Sequence, residues 1–204
     1  MSLTVVVEGD TDLPIVAKLA ADAGIMISRE IGCAGKSQLD ADLRGYNNAA
    51  HHAPWFVLRD LDQDAACAGE LLAGWAFQPS NWMCFRLAVR AIESWLLADH
   101  EGICSFFKVK PSIVPEHPDT AVNPTQALVN LARRSRSKRI RDAMVPRPGL
   151  ATSVGAFYEA TIIHFGRDHW DLDRAAARSE SLARARHRLH ELARRWRSLV
   201  GDAA

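Results

Sequence analysis

Carboxylates gather at three places where an apolar run gives way to polar residues. They are Glu8, Asp10 and Asp12 in VVVEGDTD, Asp60, Asp62 and Asp64 in FVLRDLDQD, and Glu93 in VRAIESWLLAD. Crowded carboxylates repel: two unit charges about 4 Å apart cost roughly 4 kcal/mol at an effective dielectric near 20. A hard divalent cation with oxygen ligands is the simplest counter-charge. Mg2+ (or Mn2+), as one ion or two, is therefore the expected cofactor, and phosphate chemistry the expected use: the metal polarises the phosphate and orients hydroxide.

Glu8 is read as a catalytic and metal-binding residue. It follows an apolar run, has no helix to cap, and precedes Gly9, which lets a ligand approach the backbone closely. Asp10 is assigned to the start of the next helix, where negative charge is favoured. Asp60 and Asp62 stand two apart near a strand end, so both point the same way and can share one cation or bridge two. Asp64 adds a further ligand or caps the following helix. The run resembles the opening of a calcium-binding EF-hand loop, but Ala65 and Leu71 stand where that loop needs Gly and Glu, so this reading is rejected. Glu93, among apolar neighbours, is read as a ligand or as the salt-bridge partner of Arg90. The GCAGKS run at 32–37 imitates a phosphate-binding loop, with Glu30 where its first Gly should be. Lys36 is kept as a point-charge phosphate ligand, and Arg59 as a second. The histidines are read as surface residues, and Ser37, Ser94 and Ser153 lack a nucleophile's context.

The elements that must position these groups alternate. Strands are predicted over residues 3–8, 25–31, 55–59 and 83–89, with helices over 13–23, 37–50 and 64–73 and another running through Ile92, Trp95 and Leu96. Alternation of this kind makes an α/β fold with a parallel sheet of about four strands and helices on both faces. In such a sheet ligands bind beyond the carboxyl ends of the strands, where the acids fall. A Pro-rich connector spans 111–124, and the rest reads as helix over 125–132, 149–165 and 173–200. The expected domains are thus 1–110 (α/β), 111–124 (connector) and 125–204 (a basic helical region packed on the first domain). The last helix has a heptad-spaced seam at Leu182, Ala185, Leu189, Leu192, Trp196 and Leu199, read as packing on the α/β domain, with a homodimer as the alternative.

Composition sets the class. The chain has 204 residues, 48% of them apolar and 24% charged, as in ordinary globular domains. No run approaches the roughly 20 apolar residues of a membrane span, and no basic-then-apolar leader opens the chain, so a cytoplasmic protein without membrane contact is expected. Four scattered cysteines point to reduced, mostly buried thiols. Residues 1–132 hold 9 Lys+Arg against 16 Asp+Glu (net −7), while 133–204 hold 16 against 8 (net +8). An acidic part beside a basic part suits a metal pocket next to a polyanion-binding surface. DNA or RNA is the expected partner, held by Arg184, Arg188 and Arg195 on the last helix.

VEGDTD, RDLDQD, AIESWLLAD and SESLARARHRL together resemble the Toprim domain of topoisomerases, bacterial primases and OLD-family nucleases, and most of all a small bacterial Toprim-related family of unknown function. The resemblance implies a Toprim/Rossmann-like sheet, acid–base or metal duty for Glu8, Mg2+ ligation by Asp60 and Asp62, and Asp12 as a supporting ligand. A topoisomerase needs a tyrosine nucleophile in an additional domain, and a primase needs more chain than this. What the resemblance implies is a Mg2+-dependent nuclease, in anti-phage or mobile-element defence, with any ATPase partner on a separate chain. The alternative is a non-catalytic, metal-binding subunit that binds nucleic acid or a partner and is gated by that ATPase.

Overall fold

The computed structural model describes residues 2–75 and 78–201. Four strands, β1 (Ser2–Val7), β2 (Met26–Gly32), β3 (Trp55–Asp60) and β4 (Met83–Ala88), form one parallel sheet in the order β2-β1-β3-β4. The expected α/β class with a four-stranded parallel sheet is what the chain adopts. β1 and β3 lie inside the sheet, and Val5, Val6, Val7, Phe56, Val57 and Leu58 are all buried, as strands covered on both faces require. β2 is an edge, exposed at Met26 and carrying Arg29 and Glu30, charges that blunt edge-to-edge pairing.

Helix α1 (Leu13–Asp22) links β1 to β2 and α2 (Lys36–Ala49) links β2 to β3. The two crossovers run in opposite directions along the sheet, so a right-handed rule places their helices on opposite faces. Leu39 and Leu43 of α2, with Leu71 of α3 (Ala68–Gly74), pack on the face formed by Val6, Val57 and Phe85. The expected helix over 64–73 begins later, because residues 61–67 form the irregular acidic turn described below.

The compact units differ from the expected division at 110 and 124. One unit comprises the chain up to Val89 together with the chain from Ser181 onward; the other is Arg90–Glu180. The final helix, α10 (Glu180–Gly201), therefore belongs with the sheet from Ser181, not with a separate helical region. Its seam explains this: Leu182, Ala185, Leu189 and Leu192 are fully buried, and Trp196 meets Trp82 edge-on at 5.0 Å. The seam is thus spent within its own chain rather than on a dimer, although Leu199 stays 57% exposed. Asp22 at the end of α1 receives Arg186 in a two-bond fork (2.6 and 2.7 Å) and His190 at 2.7 Å.

That clasp carries a pH signature. The hydrogen bond from Arg186, offset by burial and reinforced by His190, holds the Asp22 carboxyl below the usual aspartate range. Its contribution is present above the unfolded aspartate pKa of about 3.9 and is lost as pH falls through the lower folded value. Wild type should exceed Asp22→Asn in stability by about 1 kcal/mol at neutral pH, and the two should converge in acid, as read from urea melts. A gap that persists well below pH 3.9 would contradict the linkage.

The second unit is helical: α4 (Ile92–Ala98), α5 (His100–Phe107), α6 (Pro124–Arg133), α7 (Lys138–Met144), α8 (Tyr158–Asp168) and α9 (Leu172–Ala176). The connector at 111–124 contains two short 3-10 turns that begin at Pro111 and Pro118. Two expectations change here. The helix over 149–165 begins only at Tyr158, after a segment containing Gly149 at φ +86°. The single helix over 173–200 is broken, because Asp171 caps α9 and Ser179 turns its hydroxyl to Asp119 before α10 starts. Helix α7 carries no long apolar period and was not anticipated. The cysteines are unpaired; Cys33 and Cys84 are buried, Cys104 half-buried and Cys67 exposed. Among the described residues, no helix is long and apolar enough to cross a membrane.

Candidate functional site at the carboxyl edge of the sheet

The chain passes from β1 to one side of the sheet and later returns to β3 on the other, so β1 and β3 flank the topological switch point. Glu8 leaves β1 and Asp60 ends β3 at that point. Glu8 Oε1 accepts the Asp60 backbone N–H at 2.8 Å, and the Glu8 carbonyl accepts from Gly35 N at 3.3 Å. Gly35 adopts φ +87°, which only glycine takes readily, so the loop after β2 can fold back on Glu8. Burial pushes the Glu8 pKa above its usual value; the Asp60 N–H opposes this, while Asp62 adds to it. A carboxylate tuned upward in this way is a stronger base than an ordinary glutamate, which suits proton transfer.

The remaining acids are held differently from the expectation. β3 stops at Asp60, Leu61 is fully buried, and Asp62 sits at φ +50°. Strand alternation therefore does not extend to Asp62, and the argument that Asp60 and Asp62 point alike does not hold. Left-handed backbone of this kind is uncommon outside glycine, and Asp is among the residues that tolerate it. It turns Asp62 toward Lys36, whose Nζ donates to Asp62 Oδ2 at 2.9 Å and to Asp64 Oδ1 at 2.8 Å. Lys36, expected on a phosphate, thus bridges two carboxylates.

Arg59 is likewise taken up. Only 3% exposed, it forks onto Asp40 at 2.7 and 2.8 Å, reaches Asp64 at 2.7 Å and donates to the Asp60 carbonyl at 2.6 Å. Burial pulls its pKa down, but Asp40 and Asp64 outweigh this and keep the guanidinium firmly charged. The Trp75 ring lies 5.2 Å from its Cζ. Asp40, in the middle of α2, was not singled out in the sequence; nothing local marks a helical Asp as the partner of a strand arginine. Asp64 neither caps a helix nor stands open: Lys36 first, then Arg59, hold its pKa low.

Asp12 is buried and turned inward. Its Oδ2 accepts from Gly9 N at 3.3 Å and its Oδ1 from Thr11 at 3.3 Å, so it pins the turn after β1 instead of capping α1 by its side chain. Glu93 belongs to the second unit, where Oε1 accepts hydroxyls from Thr125 and Tyr158, each at 3.1 Å. Burial, then the neighbouring Glu93 charge, pushes the Tyr158 pKa well above its usual value.

The acids at the sheet edge are the candidate ligands for a divalent ion. The donor chemistry, all hard oxygen, suits Mg2+. Among the described residues, however, no group of three or more His, Cys, Asp or Glu side chains is placed to hold a metal. The repulsion that suggested a metal is offset from within, by Lys36 and Arg59. Of the arginines expected on nucleic acid, Arg188 pairs with Glu191 and Arg195 lies 6.0 Å from the Trp82 ring. Arg184, with Arg188, adds positive charge near Arg86, whose pKa is lowered by burial first and by those two arginines after it. No protein-family model, no curated protein and no solved structure matches the chain.

Proposed function

We propose that the β1/β3 edge hydrolyses phosphodiester bonds of DNA or RNA, as a Toprim-like nuclease, with Glu8 as the proton-transferring group. The observation that carries this reading is Glu8 itself: a half-buried carboxylate at the switch point, anchored on the Asp60 amide, with its pKa displaced upward. In this role Glu8 takes a proton from the attacking water, and the Asp60 N–H fixes which oxygen faces the substrate. The arginines of α10, Arg184, Arg188 and Arg195, add positive charge for a phosphate backbone. Mg2+ or Mn2+ is part of the proposal as a requirement to be measured. No step is assigned to it, because the carboxylates are not gathered as ligands here.

The ion-pair network favours a second reading. Lys36 and Arg59 pair with Asp62, Asp64 and Asp40, so these carboxylates already have counter-charges within the chain. This suits a non-catalytic or held-inactive subunit that a separate ATPase chain would open. Purified protein, incubated with supercoiled plasmid and single-stranded DNA and RNA in Mg2+, Mn2+, Ca2+ or EDTA, distinguishes the two. Metal-dependent cutting that disappears in Glu8→Ala supports the nuclease. Cutting that survives Glu8→Ala removes this site from the reaction, and silence that a partner ATPase relieves supports the gated subunit.

A further inference from the structure

The helical unit contains a cavity of about 990 Å3 that the sheet-edge chemistry does not use, at the upper end of the roughly 300–1,000 Å3 common for small-ligand sites. The end of α5, helix α7 and the start of α8 enclose it. Its lining includes the carboxylate of Asp142, the hydroxyls of Ser137 and Thr161, and two further kinds of group. Phe106 and Phe157 give aromatic surface, and Lys108, Arg139 and Arg147 give positive charge.

Phe157 is 65% exposed, an unusual position for a phenylalanine, yet its backbone is fixed. Its N–H donates to the Ala143 carbonyl at 3.0 Å, and the Gly155 N–H donates to the Met144 carbonyl at 2.9 Å. A Cβ on Gly155 would stand 2.4 Å from the Ala143 carbonyl oxygen, so the loop locks onto the end of α7 at a distance only glycine permits. The ring is thus presented from a rigid backbone rather than from a wandering loop. Phe106 is backed edge-on by His164 at 5.5 Å.

The charges are uncompensated. Lys138 is paired with Asp142, but Lys108, Arg139 and Arg147 make no ion pair or side-chain hydrogen bond among the described residues, and all three are exposed. A flat apolar face beside free cations complements a ligand that joins a π-surface to negative charge. We propose that this cavity binds a nucleotidyl group, its base stacked on Phe157 and its phosphate held by Arg139, Arg147 and Lys108. Either a free nucleotide or one unit of a single strand supplies that chemistry. The site is a binding site in the helical unit and stands whether or not the sheet edge hydrolyses anything.

Fluorescence anisotropy of a short labelled oligothymidylate on the full chain, across a KCl series, tests it. Phe157→Ala should weaken binding about tenfold, from the loss of one stacked base. Arg139→Ala and Arg147→Ala should each flatten the dependence of log K on log salt by about 0.7, the value for one single-strand phosphate contact. Unchanged melting curves would show that these exposed substitutions leave the fold intact. Displacement by AMP, but not by inorganic phosphate, identifies a free nucleotide as sufficient; displacement by unlabelled strand alone identifies the polymer. The proposal is overturned if the probe does not bind, if all three variants bind as wild type does, or if oligoglutamate competes as well as nucleotide.

Discussion

Replacing Glu8 by Gln is expected to lower turnover at the sheet edge by about 10²–10⁴-fold, the usual worth of a positioned proton carrier. Gln keeps an oxygen for the Asp60 N–H, so the geometry should survive while the titratable group is lost. The pH dependence gives a second signature. Burial raises the Glu8 pKa, so the acid limb of wild-type activity should sit above the ordinary glutamate value of about 4.3 and be absent from any residual activity of the variant. Stability should move the other way. A carboxyl whose folded pKa is raised binds more protons folded than unfolded, so wild type loses stability as pH rises between the two values. Glu8→Gln does not titrate and should equal or exceed wild type at neutral pH. A variant that is active but clearly less stable would make Glu8 a structural clasp for β3 and sink its catalytic role.

Asp99→Ala should destabilise the Arg90–Glu180 unit by about 2–4 kcal/mol, chiefly from two amides left without an acceptor. Asp99 is fully buried and serves four donors. Arg174 forks onto it at 2.6 and 2.9 Å, and the backbone N–H groups of Gly102 and Asp171 reach it at 3.0 and 2.8 Å. Removing the carboxylate strands two amides, each worth about 1–3 kcal/mol as a buried donor left unmade, while Arg174, 39% exposed, keeps Asp171 at 3.7 Å. Gly102 shows how tight the packing is, since a Cβ there would fall 2.2 Å from an Asp99 oxygen. Denaturant melts followed by tryptophan fluorescence suit the measurement, because Trp95 and Trp170 are buried in the same unit and joined by a 2.9 Å hydrogen bond. Asp99→Asn, which keeps one acceptor oxygen, should fall between. A loss of under 1 kcal/mol for Ala would mean that water replaces the carboxylate.

The sequence by itself determined the α/β class, the four strands and the position of Glu8 and Asp60 at their carboxyl ends. These follow from local signals: apolar runs such as VVV and FVL, glycines at turns, and acids directly after the strands. It also exposed the seam of α10, since Leu182, Ala185, Leu189 and Leu192 repeat along a single helix. Tertiary structure alone decided what neutralises the acids. Lys36 and Asp62 are 26 residues apart, and Arg59 and Asp40 are 19 apart. No spacing rule links such pairs; only the crossover of α2 beside β3 brings them together. Tertiary structure also decided that β3 ends two residues too early for Asp60 and Asp62 to share one strand face. A buried Leu61 and a left-handed Asp62 redirect the turn, and burial of one residue depends on everything packed around it. Charge repulsion is visible in a sequence, but which counter-charge answers it depends on distances between distant segments, and those exist only once the chain has folded.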